Sequence, residues 1–208
     1  MINVSIAGIG GQGSVLAARI LAQAAEAKGW QVRSAETIGM AQRGGDVMSH
    51  VRMGNAGEEV FSPLPAKGTV DVLIALEPGE AARALPYLKE SGLLVVASTG
   101  IPPVMANFKR QTYDPQHLID DMQAAGVKMV VVDDAELVHR LGEPKALNVM
   151  MLAYAIIAVN KREDCVDNAL RGAITLEDVE AAIPLCVKPK LVSVNEKAIK
   201  VVQQVARV

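Results

Sequence analysis

Aromatic side chains and cysteines are both scarce in this chain of 208 residues. It contains two Phe, three Tyr and one Trp, so its core must be built from aliphatic residues and nine Met. Its two cysteines, Cys165 and Cys186, lie far apart and form no C-x-x-C pair. We therefore expect the chain to hold no iron–sulfur cluster and no other metal by itself, and to lack a disulfide scaffold.

The sequence also lacks a block of like charges and a long apolar run. Its net charge is −2, and its few aromatic rings offer little surface for stacking bases, so nucleic-acid binding is not expected. The longest apolar helical stretch, residues 147–159, is shorter than the roughly 20 residues that span a bilayer. The first residues have no basic region and lead directly into a glycine-rich turn, unlike a signal peptide. We expect a cytoplasmic protein without membrane contact.

Apolar runs and helical patterns alternate through the first two thirds of the chain. Strands are predicted at residues 3–7, 31–35, 47–53, 70–76, 93–98 and 128–132. Several are solidly apolar, as expected for strands covered on both faces, and helical patterns such as 14–28, 79–91 and 115–125 separate many of them. The pattern predicts an α/β fold, a Rossmann-like and mainly parallel sheet wrapped by helices. Segment 47–53 follows the second strand without a helix, so we expect it to pair antiparallel at an edge.

From about residue 134 the pattern is purely helical. We therefore predict a single domain over residues 1–208 with a helical C-terminal extension. Asp134 is predicted to cap a helix over 135–141, and Thr175 with Asp178 forms a capping-box-like helix start. The last helix is predicted to be amphipathic, which indicates docking on its own domain or on a partner. Its expected apolar stripe consists of Leu191, Val194, Ala198, Val201 and Val205.

A glycine-rich turn joins the first predicted strand to the first predicted helix. Residues 8–13 read Gly-Ile-Gly-Gly-Gln-Gly, and Gly8, Gly10 and Gly13 fit the G-x-G-x-x-G spacing of dinucleotide-binding turns. Free N–H groups at a helix start, together with the helix dipole, favour an anion. The turn therefore predicts an anion cradle. Glu36, at the end of the second strand, is spaced to hold a NAD ribose, so a free-standing NAD(P)- or flavin-binding oxidoreductase is one alternative. Such a turn can also serve close packing alone.

A second glycine-rich loop follows the second strand. It places Gln42 and Arg43 beside Gly44 and Gly45, in a loop that leaves the carboxyl end of that strand. Ligands of open α/β sheets gather outside those strand ends, so Arg43 is positioned to hold the anion of the first turn. The alternative is a surface loop with a solvated arginine.

The two motifs occur in a specific order, Gly-Ile-Gly-Gly-Gln-Gly at 8–13 and Ile-Gly-Met-Ala-Gln-Arg-Gly-Gly at 38–45. This pair resembles the gamma subunit, or gamma domain, of the 2-oxoacid:ferredoxin oxidoreductases. The small (beta) subunit of indolepyruvate:ferredoxin oxidoreductase is the most similar type. Weaker matches are Ala-Leu-Glu-Pro at 75–78, Glu-Ala-Ala-Arg at 80–83, Thr-Gly at 99–100 and Asn148. Together they cover nearly the whole chain.

The resemblance implies one subunit of a larger enzyme. The family decarboxylates 2-oxoacids oxidatively with thiamine diphosphate, passes electrons through iron–sulfur clusters to ferredoxin and releases an acyl-CoA. Its gamma part carries neither thiamine diphosphate nor clusters, so both are expected on partner subunits. This chain has no G-D-G opening of a thiamine diphosphate motif and no cluster cysteines. The isolated chain should therefore have no catalytic residue and no activity.

On this resemblance the glycine turn is not a nicotinamide site, and coenzyme A is the preferred ligand. Gly10, Gly11 and Gln12 would donate backbone hydrogen bonds, and Arg43 would supply charge. The predicted binding residues are Gly8, Gly10, Gly11, Gln12, Gly13, Gln42, Arg43 and Gly44. Alternatively, both loops only complete an interface with the thiamine-binding subunit. The 2-oxoacid would be an aryl pyruvate such as indolepyruvate.

Three further expectations concern single residues and self-association. His50 is expected to be a packed or interface histidine. Asn148 is expected to be an N-cap of its helix, and a polar contact to the anion cradle is the alternative. With its partner missing, the chain would expose apolar interface surface, so a homodimer is expected on isolation.

Overall fold

A six-stranded sheet forms the centre of the protein in a computed structural model, which describes residues 1–39, 45–102, 113–161 and 170–206. Its strands are β1 (Ile2–Ile9), β2 (Gln31–Ile38), β3 (Asp46–Gly54), β4 (Val70–Ala75), β5 (Leu88–Ala97) and β6 (Met129–Val132). They lie in the order β2-β3-β1-β4-β5-β6. Strand β3 pairs antiparallel with β1 and β2, and the remaining pairs are parallel.

The predicted mainly parallel α/β fold is therefore confirmed. The antiparallel pairing of β3 was also predicted, but its place at an edge was wrong. Strand β3 lies inside the sheet between β2 and β1, and β2 forms the edge. The alternation of side chains along β3 indicates which face each one occupies, but not which strands lie on either side.

Seven α-helices surround the sheet within the described residues. They are α1 (Ser14–Ala27), α2 (Pro78–Ala84), α3 (Pro115–Ala124), α4 (Asp134–Leu141), α5 (Leu147–Lys161), α6 (Leu176–Cys186) and α7 (Pro189–Val205). Helices α1, α5, α6 and α7 share one apolar cluster with β1, whereas α2 and α3 pack on the other face against β4 and β5. None of the helices in these ranges is long and apolar enough to cross a membrane.

The helical extension shares the core of the sheet. Helix α5 is buried along most of its length because nearly all its side chains are apolar, and it packs against β4 and β5. On α7, Ala198, Ile199 and Val202 are fully buried in the same cluster. The amphipathic C-terminal helix therefore docks on its own chain.

Two predicted helix boundaries differ from the structure. The helix expected over 79–91 ends at Ala84, because Pro86 falls in a following 3₁₀ turn and β5 begins at Leu88. Helix α4 is capped by Asp133, whose side chain accepts the N–H of Glu136, and not by Asp134. The capping box of α6, with Thr175 and Asp178 bonded in both directions, is confirmed.

Candidate functional site

The carboxyl ends of β1 and β4 lie side by side, because these strands pair in parallel at the centre of the sheet. The chain leaves β1 for α1 on one face and leaves β4 for α2 on the opposite face. The two connections therefore diverge at this point, which is where open α/β sheets bind their ligands. The predicted glycine turn lies here.

The glycine turn leaves N–H groups of α1 free. Gly11 and Gly13 have φ values of 105° and 85°, which other residues rarely adopt. Gly13 is the N-cap of α1, and no side chain caps the helix. The carbonyl of Gly13 accepts bonds from Leu16 and Ala17, while no described group accepts the N–H of Gly13, Ser14 or Val15. These donors are available for an anion.

Two of the three predicted backbone donors are already engaged within the protein. The N–H of Gln12 donates to the carbonyl of Ile9 at 3.0 Å, and the N–H of Gly10 donates to the carbonyl of Gly45 at 2.9 Å. Of the predicted set, only the N–H of Gly11 has no described partner. The N–H groups available to a ligand are therefore those of Gly11 and of the first turn of α1, and not those of Gly10 and Gln12.

The side chain of Gln12 joins the glycine turn to β4, a structural role that the sequence pattern does not indicate. Its Oε1 accepts the N–H of Ile9 at 2.7 Å, and its Nε2 donates to the carbonyl of Leu76 at 2.9 Å. The amide thus ties the glycine turn to the end of β4. A Cβ at Gly8 would lie 2.9 Å from Gln12 Oε1, so glycine at this position makes room for the tie.

The second glycine-rich loop ends against the first. The Gly10–Gly45 hydrogen bond joins the two motifs, and the N–H of Gly39 donates to the carbonyl of Asp46 at 2.8 Å. The predicted residues Gln42, Arg43 and Gly44 lie outside the described residues. The structure therefore places the end of the second loop against the glycine turn, while the predicted position of Arg43 over the turn stays a prediction.

Asn148 contacts the glycine turn from α5 and does not cap that helix. Its Nδ2 donates to the carbonyl of Gly13 at 2.9 Å, and a Cβ at Gly13 would lie 2.5 Å from the same nitrogen. The residue is 2 % exposed, and its Oδ1 is buried without a hydrogen-bond partner among the described residues. The predicted N-cap role was wrong, and the contact to the turn, weighed as the alternative, is the one observed.

A buried carboxylate, Glu77, organises the loops beside the turn. Its Oε2 accepts the N–H of Glu80 at 2.9 Å and so caps α2, while its Oε1 accepts the N–H of Ile101 and the hydroxyl of Tyr113. Burial raises the pKa of Tyr113, and the bond to Glu77 adds to this, so the hydroxyl stays protonated as a donor. The sequence marked Glu77 only through the weak match at 75–78.

The described charges beside the turn are mostly negative. Glu80 is 7 % exposed, and burial raises the pKa of its carboxyl, although its ion pair with Arg83 at 3.2 Å opposes the rise. The negative charges of Asp46 and Glu77 also raise the pKa values of both Glu80 and Arg83. Since Glu80 already occupies Arg83, these residues alone do not attract a phosphate, and a further cation is needed.

Two other residues have clear positions. His50 is buried, and its Nδ1 lies 2.8 Å from Ser5 Oγ, so the expectation of a packed histidine is confirmed. Burial lowers the pKa of His50. Glu36, the residue of the NAD alternative, is exposed and lines a polar groove of about 250 Å³ between α1 and β2.

Residues 3–207 match the family model for pyruvate ferredoxin/flavodoxin oxidoreductase. The chain belongs to this family. It is 32 % identical over 200 residues to indolepyruvate oxidoreductase subunit IorB of Archaeoglobus fulgidus, covering 96 % of this chain and 92 % of that one. It is 25 % identical over 192 residues to the pyruvate/ketoisovalerate oxidoreductases common subunit gamma of Pyrococcus furiosus, covering 88 % and 94 %.

The fold has a close counterpart among solved structures. The gamma subunit of keto/oxoacid ferredoxin oxidoreductase from Geobacter sulfurreducens superposes with a TM-score of 0.65 at 21 % identity, covering 98 % of this chain and 97 % of that one. These similarities confirm the family predicted from the two glycine-rich motifs. They favour it over a free-standing nicotinamide or flavin enzyme.

Proposed function

We propose that the chain is the subunit of a thiamine-diphosphate-dependent 2-oxoacid:ferredoxin oxidoreductase that carries neither the thiamine diphosphate nor the iron–sulfur clusters. The whole enzyme would convert a 2-oxoacid to an acyl-CoA and pass electrons to ferredoxin in the cytoplasm. The observation that carries the proposal is the family match over residues 3–207. Residues 1–208 would form one gamma-type domain, helical from about residue 134.

An aryl pyruvate such as indolepyruvate is the proposed 2-oxoacid. The support is the identity of 32 % to an indolepyruvate oxidoreductase subunit against 25 % to a pyruvate/ketoisovalerate subunit. The pocket for the aryl group would lie mainly on the thiamine-binding partner. This chain would then contribute to assembly and to the acyl-acceptor side of the reaction.

Coenzyme A is the proposed ligand of the glycine turn. The free N–H groups of Gly11, Gly13 and the first turn of α1 suit a phosphate group, and the helix dipole adds to their effect. Because Asp46, Glu77 and Glu80 make the surroundings acidic, the charge would have to come from Arg43. Gly8, Gly10 and Gln12 would shape the turn, while Gln42 and Gly44 would lie beside Arg43.

A second candidate role uses the same loops without a ligand. The Gly10–Gly45 bond and the Gln12 amide hold the glycine turn against Gly45 and against the end of β4, as suits a fixed surface for a partner subunit. On this alternative the thiamine-binding subunit would cover both loops.

Coenzyme A titration of the assembled complex separates the two roles. Loss of one charge-assisted hydrogen bond in Arg43→Ala should weaken coenzyme A binding about 10- to 100-fold by calorimetry. Arg19→Ala, at an exposed position of α1, is the matched control and should bind normally. An Arg43→Ala complex that assembles poorly but binds coenzyme A with unchanged affinity would favour the interface role.

A further inference from the structure

Within the described residues, no strand pairs with the outer side of β2, so this edge of the sheet is open. Six of its eight residues are exposed, including Ile38 with 65 % of its surface accessible. The strand contains neither proline nor glycine and pairs with β3 in one continuous register. Such an edge presents a row of unpaired N–H and C=O groups, to which another strand can add.

The hydrogen-bonding direction along β2 follows from one bond. Gly39 donates to the carbonyl of Asp46, so Gly39, Thr37, Ala35 and Arg33 direct their backbone groups towards β3. The intervening residues point the other way. The open row of backbone groups therefore belongs to Val32, Ser34, Glu36 and Ile38.

We propose that β2 is a self-association surface, on which β2 of a second copy of this chain pairs antiparallel about a two-fold axis at Ala35. The two sheets then join into one continuous sheet of twelve strands. The inference does not depend on the proposed function of the glycine turn.

Side-chain chemistry selects this register. An axis at Ala35 places Val32 opposite Ile38 of the second copy, which covers the exposed apolar side chain on the α1 face. It also places Ser34 opposite Glu36, so that the hydroxyl can donate to the carboxylate. On the other face Arg33 meets Thr37, and two alanines meet at the axis.

The neighbouring registers are less favourable. An axis at Arg33 or at Glu36 brings two like charges directly opposite each other, which is destabilising. An axis at Ser34 places the apolar Val32 opposite the charged Glu36. In a two-fold symmetric contact, both copies use the same surface. Since the side chains of β2 are complementary to those of a second β2 in the register with its axis at Ala35, the occupant that we assign is a second copy of this chain.

The expected dimer is weak. One added strand pair buries less than the 1,200–2,000 Å² that is typical of a stable interface, so association in roughly the micromolar range or weaker is expected. The isolated chain should accordingly shift from monomer to dimer as its concentration rises.

Disulfide trapping in the full chain tests the register. With Cys165→Ser and Cys186→Ser as background, Ala35→Cys places two cysteines across the axis at a Cα separation of about 4.5 Å, within disulfide range. In Ser34→Cys the two cysteines are diagonal neighbours about 7–8 Å apart, which is too far. On mild oxidation, Ala35→Cys should give at least about ten times as much covalent dimer as Ser34→Cys. Equal yields, or a higher yield from Ser34→Cys, would overturn the proposal.

Sedimentation supplies a second test that needs no cysteine. Ile38→Lys should raise the dimer dissociation constant at least about tenfold, because it puts a charge opposite Val32. Leu185→Lys, at a 70 % exposed position on α6, is the matched control and should leave the constant unchanged. A wild-type chain that stays monomeric at its highest soluble concentration, or equal effects of both changes, would overturn the proposal.

Discussion

At the scale of single residues, the glycine turn depends on close contacts that only glycine allows. Gly13 combines a positive φ with a neighbour, Asn148, whose amide fills the space a side chain would need. Gly29 has a similar φ of 76°, but nothing lies within 4 Å of a Cβ at that position. Substitution of Gly29 therefore tests the cost of the positive φ alone, whereas substitution of Gly13 tests that cost together with the clash with Asn148.

Gly29→Ala should lower the free energy of unfolding by about 1–2 kcal/mol, the usual cost of a left-handed residue. Gly13→Ala should lower it by about 1–3 kcal/mol more, because Asn148 must move. Urea denaturation of both variants makes the comparison. Equal losses would show that the Asn148 contact imposes no packing constraint.

His50 should make stability depend on pH. Burial lowers the pKa of His50 below its ordinary value of 6.5, so in the folded state it binds a proton less readily than in the unfolded chain. Its contribution to the free energy of unfolding is therefore fully present above about pH 6.5 and is lost as the pH falls through that value towards the folded pKa.

The measurement is thermal melting from about pH 7.5 to pH 5 for the wild type and His50→Gln. The wild type should lose more stability than the variant over this range. Glu80 contributes a slope of opposite sign, since its raised pKa favours the folded state as the pH falls, and the comparison cancels it. Parallel pH profiles would contradict a buried neutral His50.

The sequence predicted the glycine positions of the site but not the side chains that hold them. The spacing of Gly8, Gly10 and Gly13 follows from the backbone conformation of the turn itself, so it can be recognised within the six residues 8–13. The bonds from Gln12 to Leu76 and from Asn148 to Gly13 span 64 and 135 residues. Such contacts follow from the pairing of β4 with β1 and from the packing of α5 against α1 and β4, which no local pattern encodes.

At the scale of secondary-structure elements, the C-terminal helix α7 shows how an amphipathic pattern becomes a docked face. Ile199 is fully buried against the core, whereas Leu191 near the start of the helix is 41 % exposed. The pattern predicted an amphipathic helix correctly, but the expected stripe contained Leu191 and missed Ile199, so the buried face lies to one side of it. The choice between its own domain and a partner also needed the structure.

Ile199→Ala should lower the free energy of unfolding by about 2–5 kcal/mol, because it removes buried methyl groups and leaves a cavity. Leu191→Ala, on the same helix, should change it by less than about 1 kcal/mol. Chemical denaturation checks both values. Similar costs at the two positions would contradict docking of α7 through Ile199.

The apolar strands were predictable because parallel strands buried on both faces read as solid apolar runs, as in β4 with all six residues buried. The order of the strands was not predictable in the same way. The short link between β2 and β3 implied an antiparallel pair, but the insertion of β3 beside β1 depends on long-range packing. The predicted helix over 79–91 was too long because its apolar residues continue into β5.

At the scale of the whole molecule, the chain combines the fold of a ligand-binding α/β protein with features of a dependent subunit. The described residues at the carboxyl end of the sheet are mostly acidic and mutually bonded, and they leave free N–H groups without a cation beside them. Within the described residues, β2 is an open edge strand, and the end of the second glycine-rich loop is bonded to the glycine turn through Gly45 and Gly10. Family membership and these features together explain why the isolated chain should show no 2-oxoacid oxidation.

The most direct experiment on the proposed function is purification of the tagged chain from its native cells, followed by assay with indolepyruvate, coenzyme A and ferredoxin. We expect a brown complex that contains a cysteine-rich, thiamine-binding partner and reduces ferredoxin. The chain separated from that partner should be inactive. A colourless, solitary chain with no partner and no activity would contradict the proposed function.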